Sequence, residues 1–320
     1  MINFKRPRLM LLGLFFLTTL AAAEYPDKAV KFVVPFPPGG SFDGPARLLT
    51  ARLTKLSGQP FVVETRSGAG GAVGAAEVSR AVPDGYTALL SNGAMPVSAA
   101  LTKKPLFDAV TGFTHVATFG VLPFVVVVNP KLPFNTLQEF IDASRKEPGK
   151  YNYASAGNGS AAHLGAEQIK QAFGINWVHV PYRGTGPALT DLLAGQVNVT
   201  VVGLSSAIGH IKAGTLKALA VTSATRLAQL PNVPTVAEIK PNFTIETWIG
   251  VAMPPKAPAD AVNRMAALVE QAMKDNDLRA QLRELAVEPV FEGPAAAKAR
   301  MAKDVATFTE LGKGTSISLD

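Results

Sequence analysis

A short apolar strand, a Gly- or Pro-rich turn and an Ala-rich helical segment recur along this 320-residue chain, and that recurrence restricts its fold more than any other feature. Val30–Pro35 reads as a strand, Phe36–Gly40 as a turn and Pro45–Leu56 as a helix. Phe61–Glu64, Thr65–Gly71 and Ala72–Ala81 repeat the unit, and Pro83-Asp84-Gly85 turns the chain into a strand at Tyr86–Leu90. A second set opens at Val125–Val128, which Asn129-Pro130 ends. Thr136 and Glu139 have the spacing of a capping box and start a helix running to about Arg145. Strand, loop and helix follow at Tyr151–Ala154, Ser155–Ser160 and Ala161–Phe173, then at Trp177–Val180, Pro181–Gly186 and Pro187–Ala194. Further strands are expected at Val197–Val202, Leu216–Val221 and Thr247–Met253, and helices at Ala259–Met273, Leu278–Leu285 and Ala295–Leu311. Strands that are apolar on both faces and alternate with helices form parallel sheets covered on both sides. The expected class is therefore α/β with two lobes, each a mostly parallel sheet flanked by helices, and a ligand cleft between them. Chain crossings near Leu122–Val125 and Phe243–Thr247 assign 24–122 plus 247–320 to lobe 1 and 123–246 to lobe 2.

The N-terminus points to export. Lys5, Arg6 and Arg8 precede an apolar run from Leu9 to Leu20, and Ala21-Ala22-Ala23 follows. These are the three parts of a secretory signal peptide, with cleavage expected after Ala23. The run is shorter than the roughly 20 residues that a hydrocarbon core requires. The chain contains no Cys, which excludes zinc–thiolate sites, catalytic thiols, iron–sulfur clusters and a lipidated N-terminal Cys. Its net charge is +7, and the three basic residues of the leader leave +4 for the rest. The remaining charges are interspersed, unlike a nucleic-acid-binding tract, and mild positivity suits a small anion. His115, His163, His179 and His210 show no metal-ligand spacing, and no G-x-S-x-G nucleophile elbow occurs. Neither a metal nor a cofactor is expected.

Three loops carry residues suited to binding. Pro35–Asp43 runs from a strand straight into a helix, and Gly39 and Gly40 let its backbone present N–H groups. The helix start adds unpaired donors and partial positive charge, and Ser41 adds a hydroxyl, so an anion such as a carboxylate fits. A plain helix start capped by Ser41 or Asp43 explains the same residues. Asp43 has three uses open to it: a cap, a pair with Arg47 one turn on, or an acceptor for a ligand group. Tyr153–Ser160 repeats the arrangement, with Ser155, Gly159 and Ser160 as anion ligands and His163 in the first helical turn. Thr65–Gly74 contains G-x-G-x-x-x-G, which reads better as a close helix–strand approach than as a dinucleotide site. It follows the second strand, and no acid is placed for a ribose.

Together these stretches resemble the Bug-type (TctC-like) periplasmic solute-binding proteins of tripartite tricarboxylate transport systems. The matching residues are Tyr25-Pro26, Val34–Gly40 with Asp43 and Ala46-Arg47, Val62-Val63-Glu64, Gly68–Gly71 and Pro83–Thr87. Tyr153-Ala154-Ser155, Gly157, Gly159-Ser160, His163-Leu164, Val180–Gly184, Pro231, Val233-Pro234-Thr235 and the Trp248–Gly250 strand complete the set. The resemblance implies a type II-like periplasmic binding protein fold that closes on its ligand, and a periplasmic location. It further implies that the first two loops hold a ligand carboxylate, partly through water, with Asp43 close by. Phe42 stands where the family commonly has Thr, and suits apolar or aromatic ligand contact. Ser91-Asn92-Gly93-Ala94, at the C-terminal end of a strand where α/β proteins bind ligands, also departs from the family pattern. The candidate ligand-binding set is Phe36, Pro38, Gly39, Gly40, Ser41, Phe42, Asp43, Ser91, Asn92, Ser155, Gly157, Gly159, Ser160, His163, Tyr182 and Arg183. The expected function is a monomeric receptor that delivers a small carboxylate to membrane transporter subunits. Docking on a sensor kinase is the alternative, and an exported hydrolase a more distant one.

Overall fold

The computed structural model describes residues 25–38, 41–157, 159–182 and 184–314, so the expected signal peptide at 1–23 lies outside the described residues. The strands are β1 (Val30–Val34), β2 (Phe61–Thr65), β3 (Thr87–Asn92), β4 (Thr114–Val128), β5 (Asn152–Ser155), β6 (Val178–Pro181), β7 (Val199–Gly203), β8 (Lys217–Val221), β9 (Glu246–Met253) and β10 (Glu288–Glu292). The helices are α1 (Asp43–Ser57), α2 (Ala72–Ser79), α3 (Ala94–Leu101), α4 (Leu137–Lys146), α5 (Ala161–Phe173), α6 (Thr185–Ala194), α7 (Leu204–Lys212), α8 (Ala259–Met273), α9 (Asn276–Glu284) and α10 (Pro294–Gly314).

Two sheets meet along β4, whose fifteen residues exceed the usual strand length because they serve both lobes. Thr114–Pro123 pairs with β9 in the first sheet, and Phe124–Val128 pairs with β7 and β8 in the second. Pro123, which has no N–H to give a ladder, stands at the last pair before the change of sheet. The two-lobe α/β class is as expected, but the sheets are mixed rather than mostly parallel. Among the described strands β2–β1–β3 and β7–β5–β6 run parallel, while β9 pairs antiparallel to β3 and β9, β10, β7 and β8 all pair antiparallel to β4. A parallel pair needs a crossover helix within one lobe, and the strands that connect the lobes have none.

Burial on both faces follows from alternation. Phe32 and Val34 of β1 pack with Leu49 and Leu53 of α1 and with Met265 and Val269 of α8. Val33 points the other way, toward Ala75 and Val78 of α2 and Met301 of α10. In lobe 2, Val126 and Val128 meet Phe140, Ile141 and Ile169, while Val125 and Val127 meet Leu189, Leu192 and Leu204. A run of four valines is thus a strand between two helical layers. The Thr136 cap forms as expected, its hydroxyl accepting the Glu139 N–H at 3.1 Å. The reciprocal contact closes one residue upstream, where the Glu139 carboxylate accepts the Asn135 N–H at 2.7 Å. In α2, a Cβ on Gly74 would stand 2.6 Å from the Arg66 carbonyl and 3.0 Å from Pro35, which is the close helix–strand approach expected of that loop.

Candidate functional site

A cleft of about 770 Å³ opens between the lobes, and helix starts from both converge on it. Ser41 and Phe42 bring the start of α1, Gly93 and Ala94 that of α3, and Ser160–Ala162 that of α5. Gly184 and Thr185 bring the start of α6, and Gly203, Ser205 and Ser206 that of α7. First-turn N–H groups have no carbonyl one turn back and carry partial positive charge. Of these five helices only α5 is capped by its own N-cap side chain, Ser160. Asn92 takes the Ala94 N–H at the start of α3, and the uncapped starts of α1, α6 and α7 are suited to anionic oxygen.

The expected site residues divide sharply. Phe36, Ser41, Phe42, Gly159 and Ser160 line the cleft. Gly39, Gly40 and Arg183 lie outside the described residues. Pro38 is exposed on the rim of its turn and does not line the cleft. Asp43 is buried inside the first turn of α1, where both its oxygens accept from Arg47 Nε at 3.0 Å. Of the three uses open to Asp43, the ion pair with Arg47 is formed, and the N-cap position is held by Phe42 without a side-chain bond.

Ser91 and Asn92 lie beneath the cleft floor rather than on it. Asn92 accepts the Ala94 N–H at 2.9 Å and donates to the Leu90 carbonyl at 3.2 Å, so it shapes the turn into α3. Tyr182 donates to Asp191 at 2.6 Å, and burial, then that carboxylate, pushes its phenol up to about 12.

Behind the second loop lies a support the sequence did not reveal. His179 stacks on both Tyr153 (ring centroids 4.8 Å) and His163 (4.0 Å), which themselves lie 6.2 Å apart, so the three rings form one cluster. Fully buried Ser155 sits 2.6 Å from His179 Nε2, and its hydroxyl also bonds the N–H and carbonyl of Gly157, each at 3.1 Å. His163 Nδ1 accepts the Gly159 N–H at 2.9 Å, which requires that nitrogen to be unprotonated. Gly157 and Gly159 take φ values of +122° and +69°, open to Gly at little cost. Ser155, Gly157 and His163 therefore hold the loop in shape, and Gly159 and Ser160 present it to the cleft. Tyr153 extends the cluster by donating to Glu167, which also pairs with Lys170.

This ring cluster is expected to make the fold acid-sensitive. Burial, then the neighbouring His163, pushes His179 down to about 4, and burial lowers His163 as well. The unfolded chain binds protons near the ordinary His value of about 6.5, so the stability from the neutral rings is complete above that pH. It is lost as pH falls from there toward 4. Partial exposure screens the effect to about 1 kcal/mol, or roughly 2–4 °C in Tm. Thermal melts between pH 7.5 and 4.0 should show that fall, and His179→Gln should flatten it relative to the unaltered protein.

Several cleft residues were not anticipated. Ala69, Gly70 and Ala72 come from the third loop, Val97, Ser98, Thr102 and Leu106 from α3 and its C-terminal side, and Ser205 and Ser206 from α7. The α7 residues carried a legible signal, because Gly203 and the two serines follow a strand as Gly159-Ser160 follows β5. Across the cleft mouth, Ser205 donates to Ser41 at 3.2 Å. Elsewhere between the lobes Leu164 of α5 packs with Val97 and Leu101 of α3 and Leu311 of α10, so the lobes touch through polar and apolar contacts.

Comparison with known proteins agrees with this architecture. The family model described as "Tripartite tricarboxylate transporter family receptor" matches residues 46–310. The protein BugT of Bordetella pertussis is 32% identical over 321 residues, spanning 97% of this chain and 98% of BugT. The solved structure of the periplasmic binding protein BugD matches with a TM-score of 0.79 and 31% identity over 92% of this chain and 99% of that one. Rpa4515 of R. palustris, solved with adipate, matches with a TM-score of 0.82 and 31% identity over the same shares. This chain belongs to the tripartite tricarboxylate transporter receptor family.

Proposed function

We propose that this protein captures a small carboxylate between its lobes in the periplasm and delivers it to the membrane subunits of a tripartite tricarboxylate-type transporter. The observation that carries this reading is the convergence of five helix starts, those of α1, α6 and α7 uncapped, on one cleft between the lobes. Rpa4515, a relative of the same fold, was solved with adipate. Lobe 1 is assigned to 24–122 plus 247–320 and lobe 2 to 123–246, with the signal peptide removed after Ala23. Binding in both lobes favours the closed form, since only contacts made better in one state shift the population toward it.

The protein acts as a receptor rather than a hydrolase in this reading. Ser155 and His179 lie within hydrogen-bond distance like a serine–histidine dyad, but Ser155 is fully buried behind the loop and its hydroxyl donates to the Gly157 carbonyl. Thermal melts and calorimetry on the chain from residue 24 onward test the proposal. A carboxylate at a hundred times its Kd should stabilise the protein by about 2.7 kcal/mol, and the matching primary amide should not. No shift with any member of a mono-, di- and tricarboxylate panel would refute it.

A further inference from the structure

Resting on the carboxylate-receptor reading above, we infer that the cleft selects a carboxylate with a single charged end and an aromatic or other bulky apolar body, and that Phe42 sets this preference. Most of the large apolar side chains in the wall come from lobe 1, with Phe124 and Val202 on the lobe 2 side. On the lobe 2 side the hydroxyls of Ser160, Thr185, Ser205 and Ser206 stand at helix starts, where a carboxylate is held. On the lobe 1 side Phe36, Phe42, Val97, Leu106 and Leu122 form a wall that the hydroxyls of Ser41, Ser98, Thr102 and Thr247 interrupt.

The rings of Phe36 and Phe42 lie 4.6 Å apart at 34°, as a paired surface against which a ligand ring can stack. Gly71 makes room for this pair, because a Cβ there would stand 3.0 Å from the tip of Phe36. Leu106 is 48% exposed in the free protein, an apolar surface that a ligand body would cover.

Phe42 also breaks a local rule in a telling way. It occupies the N-cap of α1, where Ser, Thr, Asp or Asn supplies a bond to the first turn, and it makes no such bond. A ring at this position contributes to the cleft instead of to the helix, and such conflicts between local and global needs cluster at functional sites. A second carboxylate pressed against the Phe36 and Phe42 rings would lose hydration without a partner there. A phenyl or cyclohexyl group there gains from leaving water.

Calorimetry on the chain from residue 24 onward, with 3-phenylpropionate, cyclohexanecarboxylate, adipate, malate and citrate, tests this. The expected result is that 3-phenylpropionate binds about tenfold or more tightly than adipate. Phe42→Thr should weaken 3-phenylpropionate by about tenfold and narrow that gap, with circular dichroism confirming the fold. Phe42→Leu, which keeps an apolar surface without the ring, should retain the preference for cyclohexanecarboxylate over adipate. If adipate, malate or citrate binds more tightly than either apolar acid, this inference falls and the receptor reading stands. An unchanged preference in Phe42→Thr overturns the role of Phe42. Failure of every acid to bind overturns both readings.

Discussion

Linking the lobes through a disulfide in the Ser41→Cys, Ser205→Cys double variant is expected to stop ligand exchange almost completely. The two hydroxyl oxygens are 3.2 Å apart across the cleft mouth, so the side chains already meet. The chain has no other Cys to compete for the bond, which makes the chemistry unambiguous. Formed without ligand, the bond should keep a carboxylate out, and formed with ligand it should trap one. Stopped-flow binding before and after dithiothreitol measures the effect, with each single Cys variant as the control. If the oxidised protein, its bond verified by mass, exchanges ligand as fast as the reduced one, passage does not need the lobes to part at this point.

Trp177→Ala should produce the largest loss of stability. Trp177 is 1% exposed at the centre of the lobe 2 core, stacked on Phe140 at 5.2 Å. Its Nε1 donates at 2.8 Å to Ser144, whose hydroxyl in turn donates to the Phe140 carbonyl. Truncation removes the ring and leaves a cavity, at a cost of about 3–5 kcal/mol, or roughly 10 °C in Tm. Trp177→Phe keeps a six-membered ring against Phe140 but loses the donor to Ser144 and part of the buried indole, so about 2–3 kcal/mol is expected. Denaturant titration separates these values. Equal losses in the two variants would place the importance of Trp177 in its hydrogen bond rather than its volume.

The residues that made the fold legible were those whose periodicity reflects burial. Ala161–Phe173 and Ala259–Met273 were read to their observed ends because a Ser cap or a Pro start and an apolar stripe coincide there. Four features were not read. The helix Ala94–Leu101 contains Pro96, which reads as a breaker but sits in the first turn, where a missing N–H costs little. Leu204–Lys212 opens on two serines and includes Gly209, weak helix formers that tertiary packing overrides. The strand Glu288–Glu292 contains Pro289 and pairs with β4 through a register shift, so its alternation is broken. The first half of β4 is buried almost throughout by partners far along the chain, which leaves no polar alternation to read.

Within the site, strand-to-helix loops were readable but side-chain direction was not. Ser155 and Ser160 belong to one short loop, yet Ser155 is fully buried in a hydrogen-bond cluster while Ser160 caps α5 at the cleft. That difference depends on His179, twenty-four residues on from Ser155, reaching the same place through the pairing of β5 with β6. No local spacing carries such information.

The position of β9 has a consequence for the order in which the protein can be completed. It lies between β3 and β4, so the lobe 1 sheet stays split in two until residues 246–253 arrive. Its pairing of Leu89–Asn92 with Ile249–Ala252 closes a very long loop, an entropic cost that precedes any gain from the contact. A nascent chain therefore remains without its central lobe 1 strand through most of synthesis. Early truncation products should accordingly be protease-sensitive in both the Val30–Asn92 and the Thr114–Val121 segments, and protection of both should appear together once Met253 has been added.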